Sequence, residues 1–191
     1  MARLPKVHVV ASKRELRALA APARQEIVDA LEHAGAASVS ELAAILARPA
    51  DALYYHLRVL TRAGLVVETA EQMPGGKRRA RFRMVAERLH LDYGASRRAN
   101  LKPLLDFAGG MLRLGLRDFR AAALDPKVAV SGPRRELWAA RTVLWMSAAD
   151  VAKTNRIIEG FREMSRRRRR GRLFAVTVLL VPLRRGRPRP R

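Results

Sequence analysis

Apolar and polar positions fall into three patterned segments between residues 38 and 67, SVSELAAILARPADALYYHLRVLTRAGLVV. Two stretches repeat near 3.6 residues across a break at Arg48 and Pro49, and a short β-branched run follows. The pattern predicts two short helices, then a strand. The second helix sorts into two faces: at about 100° per residue, Leu53, Leu57 and Leu60 share one stripe, with Asp51, Tyr54, Tyr55, Arg58 and Arg62 opposite. Such a rod can be anchored by its leucines while hydroxyls, guanidiniums and rings face outward. That arrangement suits a helix entering the major groove of DNA.

The same reading extends along the chain. Residues 1–11 read as a loose arm. Ser12 and Glu15 have capping-box spacing and open a first helix. Pro22 opens a second, with Ile27, Val28 and Leu31 turned inward and Gly35 at its end. Ser38 and Glu41 repeat the capping box, and Leu42, Ile45 and Leu46 are expected as the buried stripe of the third helix. Pro49 starts the fourth, and Ala63-Gly64 closes it. Segments 65–68 and 81–85 have strand character and flank Pro74-Gly75-Gly76, which predicts a β-hairpin with Lys77, Arg78 and Arg79 at its tip. Helices followed by such a hairpin make a winged helix-turn-helix over 12–90.

Farther on, Leu101, Leu104, Leu105, Met111, Leu112, Leu116 and Phe119 predict a long helix over 100–123. Gly109-Gly110 and Gly115 either weaken it or let another segment approach closely. Residues 136–146 and 172–183 read as strands around a helix that opens with Ser147 and Asp150 in capping-box spacing. Its apolar face carries Val151, Ile158 and Phe161, with Ile157 and Met164 beside them. The predicted fold is mainly α with small β (α+β). Residues 1–11 form an arm, 12–90 the winged domain, 91–124 a linker and long dimerisation helix, 125–183 an α+β effector or partner unit, and 184–191 a disordered basic tail.

Charge changes the picture in one direction. The 191 residues carry a net charge of +22, which favours an anionic partner, most simply nucleic acid. The excess is uneven: residues 161–191 hold twelve Arg and one Glu, whereas 12–90 hold thirteen basic and nine acidic side chains. The tail therefore carries much of the non-specific attraction. The chain has no cysteine, which excludes disulfides, thiolate metal sites and thiol nucleophiles. His8, His33 and His90 have no ligand spacing with one another, and no nucleophile elbow, phosphate-binding glycine loop or paired acidic motif occurs. The expectation is no enzyme, no cofactor and no metal. No apolar run approaches the roughly 20 residues of a membrane span, and no signal peptide opens the chain, so a cytoplasmic, nucleoid-associated place is expected.

LRALAAPARQEIVDAL, SELAAILARPADALYYHLRVLTRAGLVVE and GGKRRARFRM together resemble the ArsR-like winged helix-turn-helix transcriptional regulators. The resemblance covers about residues 12–90, and HLRVLTRAGLV followed by a basic wing is its most specific part. The second half is similar to the C-terminal region of one ArsR-like subgroup. The resemblance implies a dimeric bacterial repressor or activator that binds or releases double-stranded DNA in response to an effector. Two departures matter. The family's founding members sense metals through cysteines, which this chain lacks, and Tyr54 and Tyr55 stand where members often carry small polar residues.

The candidate DNA-facing set is Arg48, Ala50, Asp51, Tyr54, Tyr55, Arg58, Arg62, Lys77, Arg78 and Arg79. Arg58 suits a phosphate or a guanine edge, and Arg62 suits either phosphate or the helix dipole. The tyrosines can donate to phosphates or pack on a thymine methyl, although one could instead pack on the preceding helix. Asp51 either accepts from cytosine N4 or stabilises the first helical turn. His56, at the edge of the leucine stripe, is expected to be a partly buried, hydrogen-bonded structural histidine. Trp138 and Trp145 suit core or dimer packing, or the lining of an effector pocket. The arginine run at 166–170 suits DNA, anionic lipid or plain solvation. The reading is a homodimeric, sequence-specific regulator. The alternative is a winged-helix protein-interaction module whose basic tail tethers it to acidic partners or membrane.

Overall fold

The computed structural model describes residues 4–94, 100–164 and 171–183, apart from the Arg162 side chain. The fold is mixed α and β. Two compact units divide the chain, Met1–Leu114 and Gly115–Arg191, and the division falls inside the long helix expected to serve dimerisation.

In the first unit the order is β1 (His8–Val10), α1 (Lys13–Leu19), α2 (Pro22–Ala34), β2 (Ala36–Ala37), α3 (Val39–Leu46), α4 (Ala50–Arg62), β3 (Val66–Gln72), β4 (Arg78–Met84) and β5 (Leu89–Leu91). The helix α5 (Leu101–Leu124) follows. Both capping boxes form as their spacing requires. The Ser12 hydroxyl accepts from the Glu15 amide at 3.2 Å while the Glu15 carboxylate accepts from the Ser12 amide at 2.9 Å. Ser38 and Glu41 do the same at 3.3 and 2.7 Å. Each satisfies donors that a helix start otherwise leaves to water. Gly35, at φ 77°, ends α2 in a conformation that a side chain would strain.

Leu16, Ile27, Leu31, Leu42, Leu53, Leu57, Leu60 and Leu65 make the centre of the core, each at most 1% exposed. Full burial of one such side chain stabilises by about 1.5–3 kcal/mol. The antiparallel sheet β2-β4-β3 closes one side, with Phe82 and Met84 of β4 facing inward. Helix α5 adds Leu104 and Phe107 to this core, and Gly110 is buried on the same face. A Cβ on Gly110 would collide with the Ala20 carbonyl, so the glycine serves close approach. Gln25, buried, bridges the two segments by donating to the carbonyls of Leu19 (2.6 Å) and Phe107 (3.3 Å).

Three expectations need correction in this unit. The supposed loose arm contains a strand: β1 pairs in parallel with β5, and Val10 is 1% exposed. Its partner lies some 80 residues away, which no local pattern reveals. Ile45 is 56% exposed rather than buried. Val39 and Leu46 lie on one side of Leu42 around α3, and Ile45 falls about 60° away on the other, past the contact with the core. Arg78 and Arg79 are not at the hairpin tip. They sit in β4 opposite Gln72 and Glu71, and the chain reverses over residues 73–77, where Gly75 and Gly76 adopt positive φ.

The second unit holds the end of α5 and α6 (Ala148–Met164). Ser147 caps α6 through Asp150, as expected. The predicted strand-helix-strand does not form: among the described residues, neither 136–146 nor 172–183 pairs with any strand. A β-rich composition supplies propensity only, and a strand exists by virtue of a ladder partner. The arginine run at 166–170 and the tail at 184–191 lie outside the described residues.

Candidate nucleic-acid interface

Helix α4 is set by its leucines. Leu53, Leu57 and Leu60 are at most 1% exposed, and Ala50 and Val59 pack at the edge of the same core. The opposite face therefore turns to solvent. Tyr54 and Tyr55 are 50% and 60% exposed, and Asp51, Arg58 and Arg62 are exposed beside them. Arg58 has no hydrogen bond or ion pair among the described residues, so its guanidinium is available to an incoming acceptor. Asp51 lies in the first turn and Arg62 in the last, each at the end whose dipole it complements.

Other members of the candidate set are engaged within the protein. The Arg48 guanidinium donates to Glu26 at 2.7 Å. Ala50 is half-buried against the core. His56 is partly buried, but it is not the hydrogen-bonded histidine expected: its buried Nδ1 has no partner among the described residues. Its ring instead meets the Tyr55 ring edge-on, with centroids 5.4 Å apart. Burial, then the nearby positive charges of Arg24 and Arg48, hold the His56 pKa below its ordinary value.

The wing is built from β3 and β4. Lys77 at the turn and Arg78 at the start of β4 are exposed. Arg79 is turned back, and its guanidinium donates to the Ser40 hydroxyl of α3. Arg81, which the sequence did not single out, joins more elements than any of these. It donates to Glu71 at 2.9 Å and to the Ala36 carbonyl at 2.5 Å, and it lies 3.4 Å from Glu41. The Glu71 hydrogen bond, together with the charges of Glu41 and Glu71, raises its pKa further. These contacts fix the base of the wing against the start of α3. The alternation RRARFRM carried that signal, since alternate arginines in a strand share one face.

A second basic surface was also missed. Lys13, Arg14 and Arg17 of α1 line a shallow depression with Arg62, which continues the positive face beyond α4. The signal was KRELR at the start of α1, whose apolar Leu16 faces inward and whose basic residues face out.

A helix held by one face, preceded across a tight turn by a capped helix and followed by a basic hairpin, defines a winged helix-turn-helix. The family model described as a helix-turn-helix domain matches residues 19–69, which run from the end of α1 into β3 and make up a little over a quarter of the chain. That match supports a DNA-binding regulator in general. Among curated proteins, none matches the chain. Among the described residues, no helix is long and apolar enough to cross a membrane.

Proposed function

We propose that the protein is a sequence-specific transcriptional regulator of the ArsR-like kind, acting in a bacterial cytoplasm as a homodimer on double-stranded DNA. Helix α4 reads the major groove through Tyr54, Tyr55 and Arg58. Lys77 and Arg78 hold backbone or the adjacent minor groove from the wing. Arg62 and the basic residues of α1 are suited to flanking phosphates. Arg48 and Arg79 act chiefly by positioning, since their guanidiniums already serve Glu26 and Ser40. Asp51, in the first turn, accepts from a cytosine amino group or serves the helix dipole alone.

The observation that carries this reading is the exposed outer face of α4, on which Arg58 has no hydrogen bond or ion pair among the described residues. A rigid rod whose exposed side offers two phenols and a free guanidinium matches what groove recognition requires: donors that need not break internal contacts to reach base edges. A symmetric dimer follows from the limited affinity of one small reading head. Two heads spaced by roughly one DNA turn, ~34–36 Å, would engage a palindromic site together. Helix α5 offers a seam, because Leu101, Leu105, Leu112 and Leu116 lie along one exposed stripe. Residues 125–183 are the candidate effector or partner region.

Selection of bound sequences from random duplex DNA tests the reading, and the expected result is a palindromic consensus. Arg58→Ala should then weaken binding to that consensus by about 1–3 kcal/mol, roughly ten- to a hundredfold. Its unfolding stability should stay within about 0.5 kcal/mol of the parent. Unchanged affinity would remove α4 from the groove.

A further inference from the structure

The second unit leaves two stretches, 135–147 and 172–183, that run without a turn or bend and make no backbone ladder among the described residues. The second carries no charge after Arg172, the first holds Arg135, Glu136 and Arg141 among its apolar residues, and the large apolar side chains of both are mostly exposed. Leu173 is 76% exposed, Phe174 55%, Val176 59% and Leu179 52%, and Trp138 and Trp145 reach 63% and 74%. Together the two stretches present on the order of 1,000 Å² of apolar side chain, against the roughly 800 Å² per partner of a standard protein interface. A monomer rarely leaves so large an apolar patch in water. It also rarely leaves long strand-forming runs with open backbone edges.

The second run is nevertheless positioned. Thr177 lies against Gly115 of α5, where a Cβ would come within 2.8 Å of the threonine hydroxyl. Arg172 anchors the start of the run, donating to Glu136 at 3.0 Å and lying 3.6 Å from Asp125. The run is thus docked at its start and middle, while its backbone makes no hydrogen bond to another segment among the described residues.

We propose that residues 173–181 of two copies of this chain pair antiparallel across a two-fold axis, and that the tryptophan-bearing stretch 137–146 covers the sheet so formed. The occupant is a second copy for three reasons. The area on offer matches what a stable dimer buries. A two-fold axis places each apolar patch on an identical one, which makes the contact self-complementary. Residues 173–183 carry no charged side chain, so self-pairing sets no like charges opposite one another within the segment. The inference deepens the dimer proposed above by moving a main seam from α5 to the second unit, and it rests on that reading only for the use of the dimer.

The absence of native cysteine makes the test direct. In the full chain without DNA, the double variants Phe174→Cys/Leu180→Cys and Val176→Cys/Val178→Cys, whose positions face one another across a two-fold axis at residue 177, are oxidised one at a time. At least one should cross-link most of the protein into a covalent dimer, and Tyr55→Cys on the exposed face of α4 should not. Val176→Lys should shift the sedimentation-derived dimer dissociation constant by about a hundredfold or more, the loss of roughly 2.7 kcal/mol. Its circular dichroism and the unfolding of the first unit should be unchanged. A chain that sediments as a monomer at micromolar concentration overturns the pairing. So does a dimer that cross-links in neither double variant, or one broken by Leu105→Lys but not by Val176→Lys. A chain that cross-links here yet selects no sequence from random duplex overturns the reading of α4 and leaves the pairing standing.

Discussion

His56 shows how one side chain couples helix α4 to pH. Its folded pKa is depressed by burial first and by Arg24 and Arg48 second, so the unfolded chain takes up a proton that the folded chain refuses. The contribution is present above the ordinary histidine value and is lost as pH falls through the folded value. Thermal stability should therefore decline from about pH 6.5 downward. His56→Leu should flatten the upper part of that decline in a series of melting temperatures, and an unchanged slope would exclude the ring as its source. At lower pH the capping carboxylates take over. Burial pushes the Glu15 carboxyl up, but hydrogen bonds from Ser12, His8 and Ala11 outweigh it and leave its pKa lowered. The Ser38 amide is the main cause that lowers Glu41. Both carboxylates favour the fold when ionised and lose that effect as acid protonates them. The outward placement of Tyr54, Tyr55 and Arg58 was legible, because it follows from helical period and three leucines. The engagement of Arg48, Arg79 and Arg81 was not, because their partners come from other elements.

Among the elements, the helix starts were the most legible features. A capping box is local chemistry within four residues, so Ser12, Ser38 and Ser147 marked their helices from sequence. Ser38→Ala should lower unfolding stability by about 1 kcal/mol, measured in urea, by stripping the first turn of α3 of an acceptor. Gly110 is the opposite kind of position. The sequence left open whether it weakens α5 or allows close approach, and the nearby Ala20 carbonyl decides for approach. Gly110→Ala should destabilise by about 1–3 kcal/mol through overpacking, although alanine is the better helix former. A stabilised variant would mean that α5 does not rest there. Strand β1 and exposed Ile45 were illegible for related reasons. The first needs a partner from the far end of the unit, and the second depends on the angle at which α3 meets its neighbours.

For the whole molecule, the consequence of scale is electrostatic. The net charge of +22 is concentrated beyond the winged unit, so on the proposed reading the tail should govern non-specific attraction and α4 the choice of site. Removing residues 184–191 should reduce the slope of log affinity against log salt for non-specific duplex by up to about 0.9 for each phosphate the tail neutralises, with little change in the selected consensus. An unchanged slope would mean that those arginines touch no phosphate. The second unit was the least legible part of the chain. Its composition spoke for strands, and within one copy they find no ladder among the described residues.

From the sequence alone came what depends on a few neighbouring residues: the caps, the buried faces of α2 and α4, the glycine turn of the wing, the sign and location of charge, and the lack of thiol chemistry. The order of these features sufficed to indicate a winged helix-turn-helix. Tertiary structure decided which arginines are free and which are tied down, why Gly110 is needed, and that the first residues pair with a distant strand. It also decided that two strand-like stretches have no partner among the described residues of the chain. The physical reason is the same throughout. Helical faces and caps are set by contacts a few residues apart, whereas ion pairs, parallel ladders and close approaches are made by groups that only folding brings together.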